Sequence, residues 1–237
     1  MRLAPHLHRI GNDIVAAYLV VTDDGVTVID AGLPGHWKDL VRELADLGLS
    51  PADVKGVVLT HGDSDHIGFA ERLRREYGVP VYVHEADAHR ARTGEKPKVA
   101  TGPMKLRPTL GFFAYAVRKR AIPTTYVAEV VEVRDGDVLE LPGSPAVVAM
   151  PGHSPGSIAV HVPVADAVFV GDALTTRHVL TGRTGLQPAP FTDDPAEASA
   201  SLERLTGLRV GWVLPGHGAP WRGSVAAVAA EVRRAGA

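Results

Sequence analysis

Four short apolar runs in this sequence are each followed closely by a histidine or an aspartate, and this repeated arrangement constrains the fold most. The runs cover residues 57–59, 147–150, 168–170 and 213–214, and the residues that follow them are His61, His153, Asp172 and His217. Side chains delivered at one edge of a rigid sheet can converge on a common point, as metal ligands must. The pattern therefore predicts a metalloenzyme whose ligands lie at strand ends.

The segment between residues 61 and 66 carries two histidines and two carboxylates, in the order His61-Gly-Asp63-Ser-Asp65-His66. In an extended loop, residues two apart point the same way, so His61, Asp63 and Asp65 can face one cavity. His66 opens the next helix and turns to the far side of the site. We predict two metal ions, with Asp172 between them, because dinuclear sites share a nucleophile across a short separation. The predicted ligands are His61, Asp63, Asp65, His66, His153, Asp172 and His217.

Composition places the chain among ordinary globular proteins and limits its partners. The 237 residues fit one domain, and the net charge of −2 leaves no electrostatic footprint for nucleic acid or an anionic membrane. Residues 1–12 lack the apolar core of a secretory signal, and no stretch approaches the ~20 apolar residues of a membrane span. We therefore expect a cytoplasmic protein with a small-molecule substrate, and make no prediction of its oligomeric state.

The chain contains no cysteine, so imidazole and carboxylate groups must hold any metal. This donor set points to zinc, iron or manganese. We expect two divalent ions, with zinc as the first choice and iron or manganese as alternatives.

Apolar runs with β-branched residues predict strands, and helical periodicities lie between them. The predicted strands are Ile14–Val21, Val26–Ile29, Gly56–Thr60, Val79–Val83, Val130–Val133, Ala146–Met150, Ser157–Val162, Val168–Val170 and Val210–Leu214. The predicted helices are Trp37–Leu47, Phe69–Tyr77, Thr109–Arg120, Pro195–Leu205 and Ser224–Arg234. This order favours an α/β fold with two packed sheets flanked by helices.

Residues 85–127 interrupt this alternation and form a predicted insertion within the single domain 1–237. Two interpretations stay open: a surface addition, or a cap that shapes a substrate pocket over the metal centre. Residues proposed to contact substrate are His36, His178, Phe112, Phe113 and Tyr115.

The motifs together resemble those of the metallo-β-lactamase superfamily, from about Ala17 to Pro220. They are Ile29-Asp30-Ala31-Gly32, the 61–66 segment, Pro151-Gly152-His153, Gly171-Asp172 and Pro215-Gly216-His217-Gly218. The resemblance implies a four-layer αβ/βα sandwich with the site at the edge between two mixed sheets.

One position departs from the family pattern, because Asp63 stands where the motif usually has its second histidine. By position, Asp63 belongs to the first metal site with His61 and His153. Three ligand carboxylates and a bridging hydroxide would then balance two divalent ions. We expect weaker Lewis acidity and a shift of preference toward iron or manganese.

The favoured chemistry is attack of a metal-bound hydroxide on an ester, lactone or thioester, with Asp65 orienting the nucleophile or carrying a proton. One alternative is a persulfide dioxygenase-like enzyme with a single iron on His61, His153 and Asp172, a 2-His-1-carboxylate set. Another is a non-catalytic scaffold that binds metal and a ligand or partner.

Overall fold

A computed structural model describes residues 1–99 and 102–236, and its first sheet has seven strands. In spatial order these are β1 (Arg2–Ala4), β2 (Leu7–Gly11), β3 (Ala16–Thr22), β4 (Gly25–Ile29), β5 (Val54–Val58), β6 (Val81–His84) and β7 (Val131–Val133). The strands β1 to β4 pair antiparallel, and β4 to β7 pair parallel. The sheet is therefore mixed.

The second sheet has five strands and is also mixed. Its strands are β8 (Ala146–Ala149), β9 (Ile158–Val162), β10 (Ala167–Gly171), β13 (Trp212–Pro215) and β14 (Trp221–Arg222), in the spatial order β14-β13-β10-β9-β8. The pair β10 and β13 is parallel. A separate hairpin consists of β11 (Thr175–Arg177) and β12 (Thr184–Gln187).

Within the described residues, six α-helices connect or flank these strands. They are α1 (Trp37–Asp46), α2 (Ala70–Tyr77), α3 (Ala88–Thr93), α4 (Leu106–Arg118), α5 (Pro195–Ser201) and α6 (Val225–Gly236). Residues at the helix ends account for where these helices begin and end. The Asp194 carboxylate accepts hydrogen bonds from the first free N–H groups of α5, and Gly78 ends α2 at a φ of 69°.

Successive side chains along each strand point to opposite faces of its sheet, and so belong to different layers of the core. In β3, Tyr18 and Val20 face the second sheet, whereas Leu19 faces the side covered by α1 and α2. In β10, Phe169 faces the first sheet and Val168 faces the side covered by α6 and by the turn Leu202–Leu205 that follows α5. The layers therefore run helix, sheet, sheet, helix, and the predicted αβ/βα sandwich is confirmed.

All nine predicted strands overlap observed ones, but several short elements were missed. The strand β2 has the sequence Leu-His-Arg-Ile-Gly, and its buried His8 and Arg9 hide the apolar alternation. The helix α3 has only six residues, too few for a periodic signal. None of the described helices is both long and apolar enough to cross a bilayer.

Candidate metal centre

The loops that follow β5, β8, β10 and β13 meet at one edge of the two sheets. The N–H of Ile158 donates to the Thr60 carbonyl over 2.8 Å, and the N–H of Gly216 donates to the Gly171 carbonyl over 2.9 Å. The first bond joins the two sheets, and the second joins the ends of β10 and β13 within the second sheet, so the residues predicted at these strand ends lie side by side.

Two glycines allow this close approach. A Cβ at Gly171, whose φ is 50°, would lie 2.3 Å from the Thr60 hydroxyl. A Cβ at Gly216 would lie 2.4 Å from the His66 ring and 2.7 Å from an Asp172 oxygen. Any side chain at either position would displace groups of the centre.

The seven predicted ligands converge at this edge. Three groups each offer ligand atoms within 4.8 Å of one another: His61 with Asp63 and His153, His61 with His66 and Asp172, and Asp65 with His66 and His217. Asp172 lies between the others, with its oxygens 3.5 Å from His66 Nε2, 3.1 Å from His217 Nε2 and 3.8 Å from His153 Nε2. The three groups overlap and form one cluster of potential metal ligands around Asp172.

Asp30, at the end of β4, orients two of the histidines. Its carboxylate accepts hydrogen bonds from His66 Nδ1 at 2.9 Å and from the Thr60 hydroxyl. Because that hydroxyl donates to Asp30, it accepts from Nδ1 of His61, at 3.0 Å. Both imidazoles therefore carry their proton on Nδ1 and turn Nε2 toward the centre.

The other two histidines are oriented in the same way. His217 Nδ1 donates to the Ile14 carbonyl. His153 Nδ1 lies 3.2 Å from the Thr192 hydroxyl, which itself donates to the Ala189 carbonyl. All four imidazoles thus direct Nε2 at one region. The Nε2 atoms of His61, His66 and His153 and one Asp172 oxygen are buried and have no hydrogen-bond partner. Buried polar atoms are rarely left unpaired, and a cation would satisfy these four together.

The charges around the centre are strongly coupled. Burial lowers the pKa of His66, but Asp30 and Asp172 reverse this and raise it to about 10. The pKa of His217 rises to about 9 against the effect of burial, because of Asp172 and Asp65. Burial would raise the pKa of Asp172, yet the neighbouring histidines hold it below its usual range. His61, by contrast, has its pKa lowered, first by burial.

Asp63 has two cationic neighbours that the sequence did not reveal. Arg90 Nε donates to one Asp63 oxygen over 2.6 Å, and Lys96 Nζ donates to the other over 2.8 Å. His153 Nε2 lies 3.6 Å from the second oxygen. The charge count that predicted a weaker Lewis acid omitted these two cations, which offset the negative charge of Asp63. Burial would raise the pKa of Asp63, but His153 and His61, followed by Arg90 and Lys96, hold it well below the usual range.

Arg90 is a buried member of this network. Its Nη1 donates to Asp193 over 2.8 Å, so the guanidinium lies between two carboxylates. Arg90 is on α3, 27 residues after Asp63, and no local pattern pairs the two. This contact depends on how α3 packs on the ligand loop, and sequence periodicity carries no signal for it.

Asp87 links two ligand loops through hydrogen bonds, and the sequence analysis did not identify it. It is fully buried, and one of its oxygens accepts from the Gly62 N–H at 2.8 Å and the Ser154 hydroxyl at 2.7 Å. Its other oxygen accepts from the Gly156 N–H at 2.8 Å. Gly62 follows His61, and Ser154 follows His153, so Asp87 fixes the positions of both histidines.

A cavity of about 350 Å³ opens onto the centre. Polar residues of the centre form its floor, and its walls are mainly apolar. The apolar lining residues are Leu33, Phe112, Phe113, Ala116, Ala121, Ile122, Val179, Pro190 and Phe191. Two of the predicted substrate residues, Phe112 and Phe113, are therefore on the cavity wall.

The other three predicted substrate residues lie elsewhere. His36 is buried, accepts the Leu33 N–H at Nδ1, and contacts the Tyr115 hydroxyl through Nε2 at 2.7 Å. Neither side chain lines the cavity, and their contact attaches α4 to the loop before α1. His178 Nδ1 accepts from the Thr181 N–H within the turn between β11 and β12, and also lies off the cavity wall. The structure therefore places these three side chains away from the cavity wall, and their contact with substrate stays a prediction.

Comparison with known proteins agrees with this geometry. A family model described as the metallo-beta-lactamase superfamily matches residues 10–217, and the chain belongs to that superfamily. The chain is 30% identical over 205 residues to "Probable metallo-hydrolase YflN" of Bacillus subtilis, covering 83% of this chain and 76% of that protein. It is 34% identical over 198 residues to the uncharacterized protein Rv2581c of Mycobacterium tuberculosis, covering 81% and 79%.

Solved structures share the fold. The metallo-beta-lactamase family protein TTHA1429 of Thermus thermophilus aligns with a TM-score of 0.70 at 26% identity, over 97% of this chain and 79% of that one. The Rm3 metallo-beta-lactamase aligns with a TM-score of 0.70 at 21% identity, over 99% and 90%. At that identity the second likeness concerns the fold alone.

Proposed function

We propose that the protein is a dinuclear metal-dependent hydrolase of small-molecule esters, lactones or thioesters with an apolar acyl group. One observation carries the proposal: four imidazoles have Nδ1 hydrogen-bonded outward and Nε2 directed at a common region beside Asp172. Membership of a superfamily that includes relatives named as metallo-hydrolases supports it.

The residues fit divalent metal ions. The donors are imidazole nitrogens and carboxylate oxygens, which suit zinc, iron and manganese, and four of their atoms are buried without a partner. His61, Asp63 and His153 would hold one ion, and Asp65, His66 and His217 the other. Asp172 would contact both. Bound there, the ions would polarise the substrate carbonyl and lower the pKa of a water molecule.

Asp65 is the proposed proton carrier. It lines the cavity, its side chain is partly exposed, and its carboxylate lies 3.4 Å from His217 Nε2. A carboxylate in this position can accept a proton from the attacking water and pass it to the leaving oxygen or sulfur as the acyl bond breaks.

The apolar wall selects the acyl group. Phe112 and Ala116 of α4 and Phe191 face the cavity from opposite segments of the chain, so an apolar acyl chain would displace water from them. We infer that residues 85–127 act as a cap over the centre.

The single-iron dioxygenase-like interpretation is less well supported. It uses His61, His153 and Asp172 and leaves His66 and His217 without a role, although both are oriented in the same way as the others.

A series of esters, lactones and thioesters of increasing acyl length tests the proposed function. We expect kcat/KM to rise with chain length, and Phe112→Ala to lower it for long chains by about tenfold while short chains change little. Leu110→Ala, on the outer face of the same helix, is the control variant. Its kcat/KM should equal that of the unchanged protein at every acyl length. Turnover of no substrate in the series by the metal-loaded protein would contradict the proposal.

A further inference from the structure

The outer face of α4 carries an apolar stripe that nothing in the described structure covers. Leu106, Leu110, Phe113 and Val117 follow one another at spacings of four, three and four residues, so they lie along one side of the helix. Leu106 is 76% exposed and Val117 is 73% exposed. Ile122, just past the helix, is 85% exposed. A surface of several neighbouring exposed apolar side chains is typical of an interaction site.

The same segment is exclusively basic. Residues 96–122 contain seven of the chain's 25 Lys and Arg residues and none of its 27 Asp and Glu residues. Among the described residues, five of the seven are exposed and form no ion pair: Lys98, Lys105, Arg107, Arg118 and Arg120. The net charge of −2 for the whole chain conceals this local concentration of positive charge.

The apolar stripe is continuous with the cavity. Phe113 is 56% exposed on the outer face of α4 and also lines the cavity that opens onto the metal centre. Whatever covers the stripe therefore lies next to the cavity mouth.

We propose that α4 and its flanking basic residues bind the surface of an anionic lipid bilayer. The stripe would enter the boundary between headgroups and acyl chains, and the basic side chains would remain at the level of the lipid phosphates. Each cation near such a surface adds to the attraction, so several exposed cations beside an apolar face act together. This proposal departs from the expectation of no membrane partner, which rested on the net charge and on the absence of a membrane-spanning apolar stretch.

The charge of this segment favours an anionic lipid surface over a second copy of the chain as the partner that covers the stripe. Packing α4 of one copy against α4 of another would bring two wholly basic segments together, and like charges repel. An anionic surface instead complements both the apolar stripe and the cations.

Co-sedimentation of the full-length protein with lipid vesicles tests the proposal, and it does not depend on catalysis. We expect binding to vesicles of equal parts phosphatidylglycerol and phosphatidylcholine, and at least tenfold weaker binding to phosphatidylcholine alone. Binding should also weaken in about 1 M salt, where the Debye length is about 3 Å.

Two pairs of variants locate the contact. Leu110→Ser with Val117→Ser should weaken binding at least tenfold, whereas Val138→Ser, an exposed valine outside the segment, should not. Lys105→Gln with Arg107→Gln should weaken binding to the anionic vesicles about tenfold. Lys55→Gln with Arg75→Gln removes the same charge from exposed positions elsewhere and should have little effect. Thermal unfolding checks that each variant is folded.

Three results would overturn the proposal. The first is no binding to anionic vesicles. The second is equal binding by the stripe variants and the unchanged protein. The third is a dimer, detected by light scattering, that Leu110→Ser with Val117→Ser dissociates, because the stripe would then belong to a second copy of the chain.

Discussion

At the scale of single residues, Asp63 is the position where the sequence departs from the motif that the family resemblance led us to expect. Its carboxylate is buried, lies near His153, and accepts hydrogen bonds from Arg90 and Lys96. The substitution of aspartate for histidine is thus accompanied by two cations, and the local charge remains balanced. The Asp63 carboxylate therefore contacts both the metal centre and the buried guanidinium of Arg90.

Replacing Asp63 by Asn should therefore affect both stability and metal binding. The change leaves Arg90 buried with Asp193 as its remaining carboxylate, and breaking a buried ion pair costs about 3 kcal/mol of the free energy of unfolding. One of the two ions should also bind more weakly. Denaturant unfolding and metal titration measure these effects, with the exposed Asp24→Asn as the control. Unchanged values of both quantities would show that Asp63 serves neither partner.

His36 gives a pH dependence separate from the metal centre. Burial lowers its pKa from the ordinary 6.5 to about 4, and Lys119 acts in the same direction. As the pH falls below 6.5, the unfolded chain binds a proton that folded His36 does not. The contribution of His36 to stability is complete above pH 6.5 and declines as the pH falls to about 4, by about 3 kcal/mol.

Denaturant unfolding of the metal-free protein across this pH range checks the prediction. The stability difference between the unchanged protein and His36→Gln should shrink as the pH falls from 6.5 to 4. Val138→Ser, at an exposed position whose side chain does not titrate, should give a difference that is constant with pH. A constant difference for His36→Gln as well would rule out a buried neutral His36.

At the scale of secondary-structure elements, α3 supports the ligand loops through the residue that precedes it. Asp87 accepts two backbone N–H groups and one hydroxyl from the loops that carry His61 and His153. Asp87→Ala leaves these donors unpaired in the interior, which costs about 1–3 kcal/mol for each. Residues that orient metal ligands typically change affinity by about 10–100-fold when they are replaced.

We therefore expect Asp87→Ala to lower stability and to weaken metal binding at least tenfold, as measured by competition with a chromophoric chelator. Asp53→Ala, which removes a carboxylate that caps a short surface turn, is the control for a lost local hydrogen bond. Metal affinity equal to that of the control would show that the loops hold their geometry without Asp87.

The elements also show what the sequence could predict. His61, Asp172 and His217 were predicted as neighbours because each follows an apolar strand, and strand ends meet at a sheet edge. Asp87, Arg90 and the stripe on α4 gave no such signal. Their roles depend on which residues of distant segments pack together, and on which helix face remains exposed. The 3.6-residue period of α4 indicated a helix but not which of its faces lies over the cavity.

At the scale of the whole molecule, metal binding is linked to proton release. Without metal, the pKa values of His66 and His217 are about 10 and 9, so both imidazoles hold a second proton near neutral pH. A metal ligand must be deprotonated, and metal affinity should therefore rise with pH through the neutral range. Calorimetry in buffers of different ionisation enthalpy should report at least two protons released per chain on full loading, two of them from His66 and His217. Metal affinity independent of pH between 6 and 8 would contradict these pKa values.

The most direct test of the dinuclear hydrolase is the metal content of the protein purified without added metal, measured together with hydrolysis of the ester series. We predict two zinc, manganese or iron ions per chain. We also predict that a chelator abolishes hydrolysis and that activity returns fully only when the second equivalent is restored. Full hydrolytic activity with one ion per chain, or two tightly bound ions without turnover of any ester, lactone or thioester, would contradict the account.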